Sequence, residues 1–402
     1  MKFTLLFVLI LINISQVYSQ WIQQNSNTNE TLLGVSFVNS QTGYASGTSG
    51  KILKTTNGGG IWNTQTSNTT KFLRDIYFTD SQGGTIAGES GLIMRTVNGG
   101  INWTNQISNS SEHLVHVHFL NSLTGIITGQ NGVILTTTNG GTNWIPRLSN
   151  VSKELAGAIM LNAKDAYAVG FSGTILKSTD GGDNWSQQTS GLTAEFRSVS
   201  FINANTGFIA GYGGKILKTI NGGSNWTLLN SGITNNLFSI YASNEKNVTA
   251  VGSGIILKSV NGGETWSSQT IPFTGDLYSV VFVSKSLGWT VGQTGNIFFT
   301  DNGGVGINSI SDEIPDSYSL AQNYPNPFNP VTIFEFTIPK QGFVSLKVYD
   351  ILGNEVSALV NEDLKPGSYQ YDFNASALPS GIYFYKTVSG QFSETKSMML
   401  LK

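Results

Sequence analysis

The residues best suited to chemistry in this chain are few and scattered. All three histidines, His113, His116 and His118, crowd one short stretch. His116 and His118 are two apart, so in a strand they share a face and could bind a metal. The only guanidinium groups are Arg74, Arg95, Arg147 and Arg197. Acids recur at Glu30, Glu112, Glu154, Glu195 and Asp276, each just ahead of an apolar run. Carboxylates gathered in a ring could hold a cation or a basic ligand. Cysteine is absent, which removes both thiolate chemistry and a disulfide framework. The paired carboxylates that glycoside hydrolysis needs cannot be picked out.

The elements that must position these groups come from a repeat. The stretch Ser178 to Trp185 reads S-T-D-G-G-D-N-W, and T-x-N-G-G-x-x-W or a close variant ends at Trp62, Trp103, Trp144, Trp226 and Trp266. The period is 41 residues, with one interval of 40. One period after Trp266, the box T-D-N-G-G-V-G-I has lost its tryptophan at Ile307; one period before Trp62 stands Trp21, with no box before it. Seven boxes therefore share one period, and the two imperfect copies, the box without its tryptophan and Trp21 without a box, lie at the two ends. The box residues Asn57, Asn98, Asn139, Asp180, Asn221 and Asn261 each precede Gly-Gly. That pattern predicts a tight turn in which the Asx side chain bonds the backbone two residues on and the glycines take positive φ. Each tryptophan then opens the next strand and packs back over the turn. A device present in every unit reads as a structural staple.

Each unit reads as four short strands, and four strands at a period of about 40–45 residues predict a β-propeller. The first strand recurs as Val35-Ser36-Phe37, Ile76-Tyr77-Phe78, Val117-His118-Phe119, Val199-Ser200-Phe201 and Val280-Val281-Phe282. Seven boxes mean seven blades. Trp21 to Ser26 is expected to supply the outermost strand of blade seven and so close the ring, removing a splayed edge. The propeller should occupy residues 20–307 and a polar linker residues 308–319. Residues 320–402 should form a small all-β sandwich from the alternating segments Val331 to Ile338, Phe343 to Tyr349, Glu355 to Val360, Ser368 to Phe373, Gly381 to Val388 and Glu394 to Leu401.

Residues 1–19 read as a signal peptide, with Lys2, an apolar core from Phe3 to Ile12 and a cleavage site after Val17-Tyr18-Ser19. That core is too short to span a bilayer, and no other segment approaches 18 apolar residues, so the mature chain is not expected to be an integral membrane protein. Charged residues make up only 11% and the net charge is −2, so nothing favours nucleic acid. No cofactor is implied, and a monomer is expected.

Two resemblances follow. Tyr324-Pro325-Asn326-Pro327-Phe328-Asn329-Pro330, Val348 to Gly353, Leu378 to Tyr383 and the terminal strand Lys396 to Lys402 resemble the type A sorting domain of the type IX (Por) secretion system. The sorting motif then comprises Tyr324, Pro325, Asn326, Pro327 and Phe328, with Gly353 and Gly381. The resemblance implies recognition by the secretion machinery, export across two bacterial membranes, and release or attachment to surface polysaccharide. Residues 21 to about 307 resemble the Asp-box propellers related to the photosystem II assembly and stability factor family, in blade count and in the N-G-G-x-x-W turns. Asp-box or BNR repeats carry these boxes as peripheral structural turns. That family is associated with an arginine-rich patch, which four arginines do not reproduce, so the fold is carried over and not the partner. Sialidases are also Asp-box propellers, and their chemistry needs three clustered arginines, a tyrosine nucleophile with a glutamate, and an acid. Here Arg74 and Arg197 share a column of the first strand three blades apart, and Arg95 stands in the column of Lys54, Lys177, Lys218 and Lys258. No convergent triad emerges. His116 shares its column with Gly34, Asp75, Gly157, Ser198, Ser239 and Ser279, so the His116/His118 pair reads as polar filling of the channel wall.

The expectation is a secreted or surface-held, non-enzymatic binding module for a glycan or protein ligand. Its candidate rim is Glu112, Glu154, Glu195, Asp276, Arg74 and Arg197. A secreted sialidase-like glycoside hydrolase, or an assembly factor for an outer-membrane complex, would be the competing readings.

Overall fold

The computed structural model describes residues 21–402, apart from 270, 272, 302, 305–307, 312, 376 and 377. The leader expected over residues 1–19 lies outside the described residues. The chain divides into two compact units, with the boundary between Val305 and Gly306.

The first unit is a seven-bladed propeller of four-stranded antiparallel sheets. Blade one runs Leu32–Phe37, Gly43–Gly47, Ile52–Thr55 and Asn63–Gln65, from the axis outward. The other innermost strands are Leu73–Phe78, Leu114–Phe119, Leu155–Met160, Phe196–Phe201, Leu237–Ala242 and Leu277–Phe282. The second strands are buried along their whole length. Burial on both faces explains why they read as unbroken small and apolar runs. The glycine that opens this strand has a steric reason: a Cβ on Gly43 would lie 2.3 Å from the ring of Phe37, which lies across it. The core runs between blades, as where Tyr44 of blade one stacks on Phe78 of blade two at 3.5 Å between centroids.

The box is a turn of fixed chemistry, with a different bonding pattern from the one expected. The Asx side chain reaches four residues on and not two: Asn57 Oδ1 accepts the amide of Ile61, at 2.9 Å. The Thr55 hydroxyl accepts the amide of Gly59, also four on. The same pair of bonds recurs around Asn98, Asn139, Asp180, Asn221 and Asn261. Four residues fit because Gly58 and Gly59 both take positive φ, at 68° and 93°. The tryptophan that follows packs edge-on against the phenylalanine ending the first strand of its own blade, as Trp62 does on Phe37, Trp103 on Phe78 and Trp226 on Phe201. The turn also serves its neighbour. Lys54, Lys177 and Lys218 donate across the blade boundary to the box carbonyls of Gly99, Gly222 and Gly262, each at 2.7 Å.

Blade seven is completed from the N-terminus. Ile22–Gln24 pairs antiparallel with Ile297–Thr300, outside Gly288–Gly292 and Leu277–Phe282. Trp21 is fully buried and meets Phe282 edge-on at 5.9 Å, the geometry the box tryptophans have in their own blades.

The second unit is a sandwich of two four-stranded sheets. One orders Glu355–Leu364, Gly342–Tyr349, Gly381–Ser389 and Phe392–Leu400; the other orders Asn308–Ser311, Gly367–Asn374, Val331–Ile338 and Ser319–Leu320. Asn308–Ser311 lies within the stretch expected as a linker, yet it is a strand paired with Gly367–Asn374. Its polar, acid-flanked sequence hides a role filled by backbone hydrogen bonds. Phe334, Phe336, Val344, Leu346, Val348 and Tyr385 build the core. The proline-rich hairpin is pinned to this unit. Phe328 is buried, exchanges backbone bonds with Met399 and Leu401, and lies beside Leu400. Asn323, 2% exposed, bonds the Pro325 carbonyl and the Thr332 hydroxyl. Tyr324 stands out into solvent.

Candidate functional site at the channel mouth

The innermost strand of every blade carries the same irregularity. Its second residue is an extra one, skipped in the pairing with the second strand: Leu33, Arg74, Val115, Ala156, Arg197, Phe238 and Tyr278. Such a bulge re-aims a side chain that regular pleating would send elsewhere. Here all seven converge on one cavity of about 100 Å³ at a mouth of the central channel. Its remaining wall comes from the next residue in five of the strands: Asp75, His116, Ser198, Ser239 and Ser279.

That second ring has a structural task. An innermost strand has no sheet partner on its axial side, and its amides need acceptors. The preceding blade supplies them from side chains. Asp75 Oδ2 accepts from Val117, Ser198 Oγ from Ile240 and Ser239 Oγ from Val280. Deeper in, Ser36, His118 and Ser200 do the same for Phe78, Met160 and Ala242. The two histidines are thus wall residues with committed rings. His116 Nδ1 lies 2.9 Å from Asp75 Oδ2, and its Nε2 lies 2.9 Å from the Ala158 carbonyl. His118 Nδ1 accepts the Met160 amide. Burial, helped by neighbouring His116, pushes the His118 pKa down to about 3, so this ring is neutral. Among the described residues, no three His, Asp or Glu gather as metal ligands. In the same strand as Asp75, burial pushes the Tyr77 phenol up to about 12, with Tyr241 and Asp75 adding to the shift.

The predicted rim residues fall into two groups. Arg74 and Arg197 line the cavity, as their shared column predicts, and each is held by an acid. Arg74 Nη2 stands 3.7 Å from Glu89, and Arg197 Nη1 3.1 Å from Glu154. The Arg197 guanidinium also lies over Phe171 and Tyr212, an arrangement that stabilises a cation through the ring quadrupole. The acids do not share one ring. Glu154, Glu195 and Asp276 directly precede the first strand, whereas Glu30 and Glu112 sit one residue further back. None of them is in the cavity wall. Glu112 accepts from Asn131, Glu30 from Thr48, and Asp276 from Tyr278 and Gln293. The Thr48 hydroxyl, with Ser49, holds the Glu30 carboxyl below its ordinary range.

Missing from the sequence expectation was an aromatic arc. Phe171, Tyr212, Phe238 and Tyr278 run in contact through blades four to seven, with centroids 6.5, 5.8 and 5.2 Å apart in turn. All four are half-buried. The mouth is therefore lopsided: aromatic with one arginine on one side, aliphatic through Leu33, Val115 and Ala156 with the other arginine opposite. A signal existed. The first and fourth columns of the first strand stay apolar in every blade, whereas this column runs Leu, Arg, Val, Ala, Arg, Phe, Tyr. A larger, more open hollow of about 590 Å³ runs along the outer strands of blade three. Its one arginine, Arg147, is bound to Asp183 at 2.7 Å, and the rest of the wall is polar-neutral or aliphatic.

Comparison with known proteins agrees with this architecture. Residues 60–163 and 150–233 match the family described as photosynthesis system II assembly factor YCF48, and residues 322–401 match the secretion system C-terminal sorting domain. Among solved structures, YCF48 bound to D1 peptide is 21% identical, covering 71% of this chain and 96% of its own, with a TM-score of 0.60. YCF48 from Cyanidioschyzon merolae is 19% identical over 70% and 98%, at 0.59. The WD40 propeller of Doa1 is 10% identical over 69% and 96%, also at 0.59. No curated protein matches the chain. A YCF48-like propeller is thus joined to a sorting domain that directs export by the type IX secretion system, to the cell surface or beyond it. No helix among the described residues is long and apolar enough to cross a membrane.

Proposed function

We propose that the propeller is a non-enzymatic binding module that takes an extended polypeptide segment at the channel mouth. The observation that carries this reading is the bulge-borne ring. Seven blades built to one pattern carry aliphatic, basic and aromatic side chains on these bulges, and all seven line the cavity. The lopsided composition suits an amphipathic segment, with apolar side chains against the aromatic arc and polar ones toward the arginines. A propeller of the same fold has been seen bound to a peptide. Hydrolysis is disfavoured because the ionisable groups of the mouth are paired with one another. Arg74 and Arg197 are held by glutamates, and Asp75 by His116 and the Val117 amide. General acid–base work needs a group within reach of substrate and in a poised protonation state. An assembly factor for an outer-membrane complex is the form such a binder would take in a cell that exports it.

The test is a display screen of random peptides against the mature full chain, alongside a glycan array and a hydrolase-substrate panel. Selected peptides should lose affinity at least tenfold with Phe238→Ala or Arg197→Ala, and keep it with Arg147→Ala in the outer hollow. Glycan binding without peptide binding, or turnover of any substrate, overturns the proposal.

A further inference from the structure

His116 joins three consecutive blades. Its Nδ1 faces the Asp75 carboxylate of blade two, the ring belongs to blade three, and its Nε2 faces the Ala158 carbonyl of blade four. Both partners are acceptors, so both nitrogens must carry hydrogen, and only the imidazolium does so. We propose that His116 is a proton-operated latch in the wall of the channel mouth. With the proton bound, it ties the three blades and neutralises Asp75; with the proton lost, one tie breaks and the mouth gains a negative charge. The idea rests on the ligand-site reading for its functional consequence, but its geometry stands without any ligand.

The surroundings support the charge. Asp75 has a second tie to blade three, since its Oδ2 also accepts the Val117 amide. Its room comes from Gly34 in blade one, where a Cβ would lie 2.7 Å from Asp75 Oδ1. From its own strand His116 meets His118, which stays neutral. The innermost strand of blade four brings no ionisable side chain. The cavity that His116 lines also holds Arg74 and Arg197, each answered by a glutamate, and Tyr278. Burial works against the imidazolium, but the Asp75 charge with the two hydrogen bonds outweighs it and raises the His116 pKa. A raised folded pKa gives stability that is complete below the ordinary histidine value of about 6.5 and lost as pH rises through the folded value. An exported protein meets the pH of its surroundings, so the latch would loosen the mouth in alkaline medium and make it more attractive to basic segments.

The chain has three histidines, which makes the test direct. Nitrogen-15 NMR of the ring nitrogens of the mature full chain, titrated from pH 4 to 10, should show His116 doubly protonated at pH 6 and titrating above the ordinary histidine value of about 6.5. His118 should stay neutral to about pH 4. Asp75→Asn should lower the His116 titration by at least one pH unit, and His113→Gln should leave it in place. Thermal unfolding of the wild type should weaken from pH 6.5 upward, and this slope should flatten in His116→Asn. A His116 already neutral at pH 6, or one indifferent to Asp75→Asn, overturns the proposal. Either result would leave peptide binding at the mouth untouched, and a failed peptide screen would leave the titration untouched.

Discussion

Closure of the ring by Trp21 can be broken without touching any repeat. Trp21→Ala removes a fully buried indole that meets Phe282 edge-on. A buried tryptophan removes about 150–250 Å² from water. At about 25 cal/mol per Å² this gives roughly 4–6 kcal/mol, an upper bound because the unfolded chain is itself partly collapsed. Truncation series put the loss at about 3–5 kcal/mol. Trp103→Ala, in the interior of the repeat and 8% exposed, is the proper control, since it breaks the equivalent contact with Phe78. The two units of the chain need not unfold together, so the assay is hydrogen exchange resolved by blade. In Trp21→Ala, exchange at Ile297–Thr300 should accelerate about a hundred- to several-thousand-fold, as about 1.4 kcal/mol per decade requires. The boundary with blade one should loosen too. Gln24 bridges it, donating to the Gly58 carbonyl at 2.9 Å and accepting from Trp62 Nε1 at 3.2 Å. If Trp103→Ala shows its expected loss and Trp21→Ala leaves blade seven protected as in the wild type, the N-terminal strand does not close the ring.

Three further outcomes follow from single contacts. Gly34→Ser places a Cβ 2.7 Å from Asp75 Oδ1 and 2.9 Å from its Cα; it should cost about 1–3 kcal/mol in thermal unfolding, as overpacking does. Asp180 is held at about 2 by the Asn184 amide first, then the Asn184 side chain and the Ser178 hydroxyl. Its stabilisation is present above the ordinary value of 3.8 and lost as pH falls through about 2, so Asp180→Asn should reduce the fall in melting temperature between pH 4 and 2, and an unchanged slope refutes the assignment. Asn323→Ala removes the amide that donates to both the Thr332 hydroxyl and the Pro325 carbonyl, which keep only their bond to each other, at about 0.5–1.5 kcal/mol per bond lost. Cell fractionation should then find more of the protein retained in the periplasm, and unimpaired export would show that the hairpin need not be rigid for sorting.

The propeller was legible because its stabilising contacts repeat. Two glycines that turn the chain, a hydroxyl two residues before the Asx and, in most blades, a tryptophan that covers a phenylalanine leave the same letters from unit to unit. Even the odd ends could be joined, since Trp21 carries the tryptophan that the last box lacks. What did not transfer was the bonding inside the turn. Composition says that Asx, Ser and Thr accept from nearby amides, but which amide depends on two consecutive positive-φ glycines lengthening the turn to four residues. The strand Asn308–Ser311 was illegible for a different reason. It joins its sheet through backbone groups, and backbone pairing leaves no pattern in side chains when neither face is deeply apolar.

The site was hidden by the same repetition that revealed the fold. The acids ahead of five of the first strands recur, yet they lie outside the cavity wall at two different positions, and Glu30, Glu112, Glu154 and Asp276 are bonded to neighbouring side chains. The columns that reach the cavity, the bulge residues and those that follow them, are among those that do not recur. A bulge at the second residue of the first strand breaks the alternation that assigns faces, so period-two reasoning cannot place Arg74, Arg197, Phe238 and Tyr278 beside one another. Only pairing shows that the residue is skipped. Within a symmetric ring, positions that build the ring must obey its symmetry, because each faces the same neighbours. A position that faces the axis is free of that demand, and its departure from symmetry records what the ring encloses. By that criterion the aromatic side of the mouth, in blades four to seven, is the more specific half of the site, and substitutions at Phe238 and Tyr278 should change which segment is bound before they change how stable the propeller is.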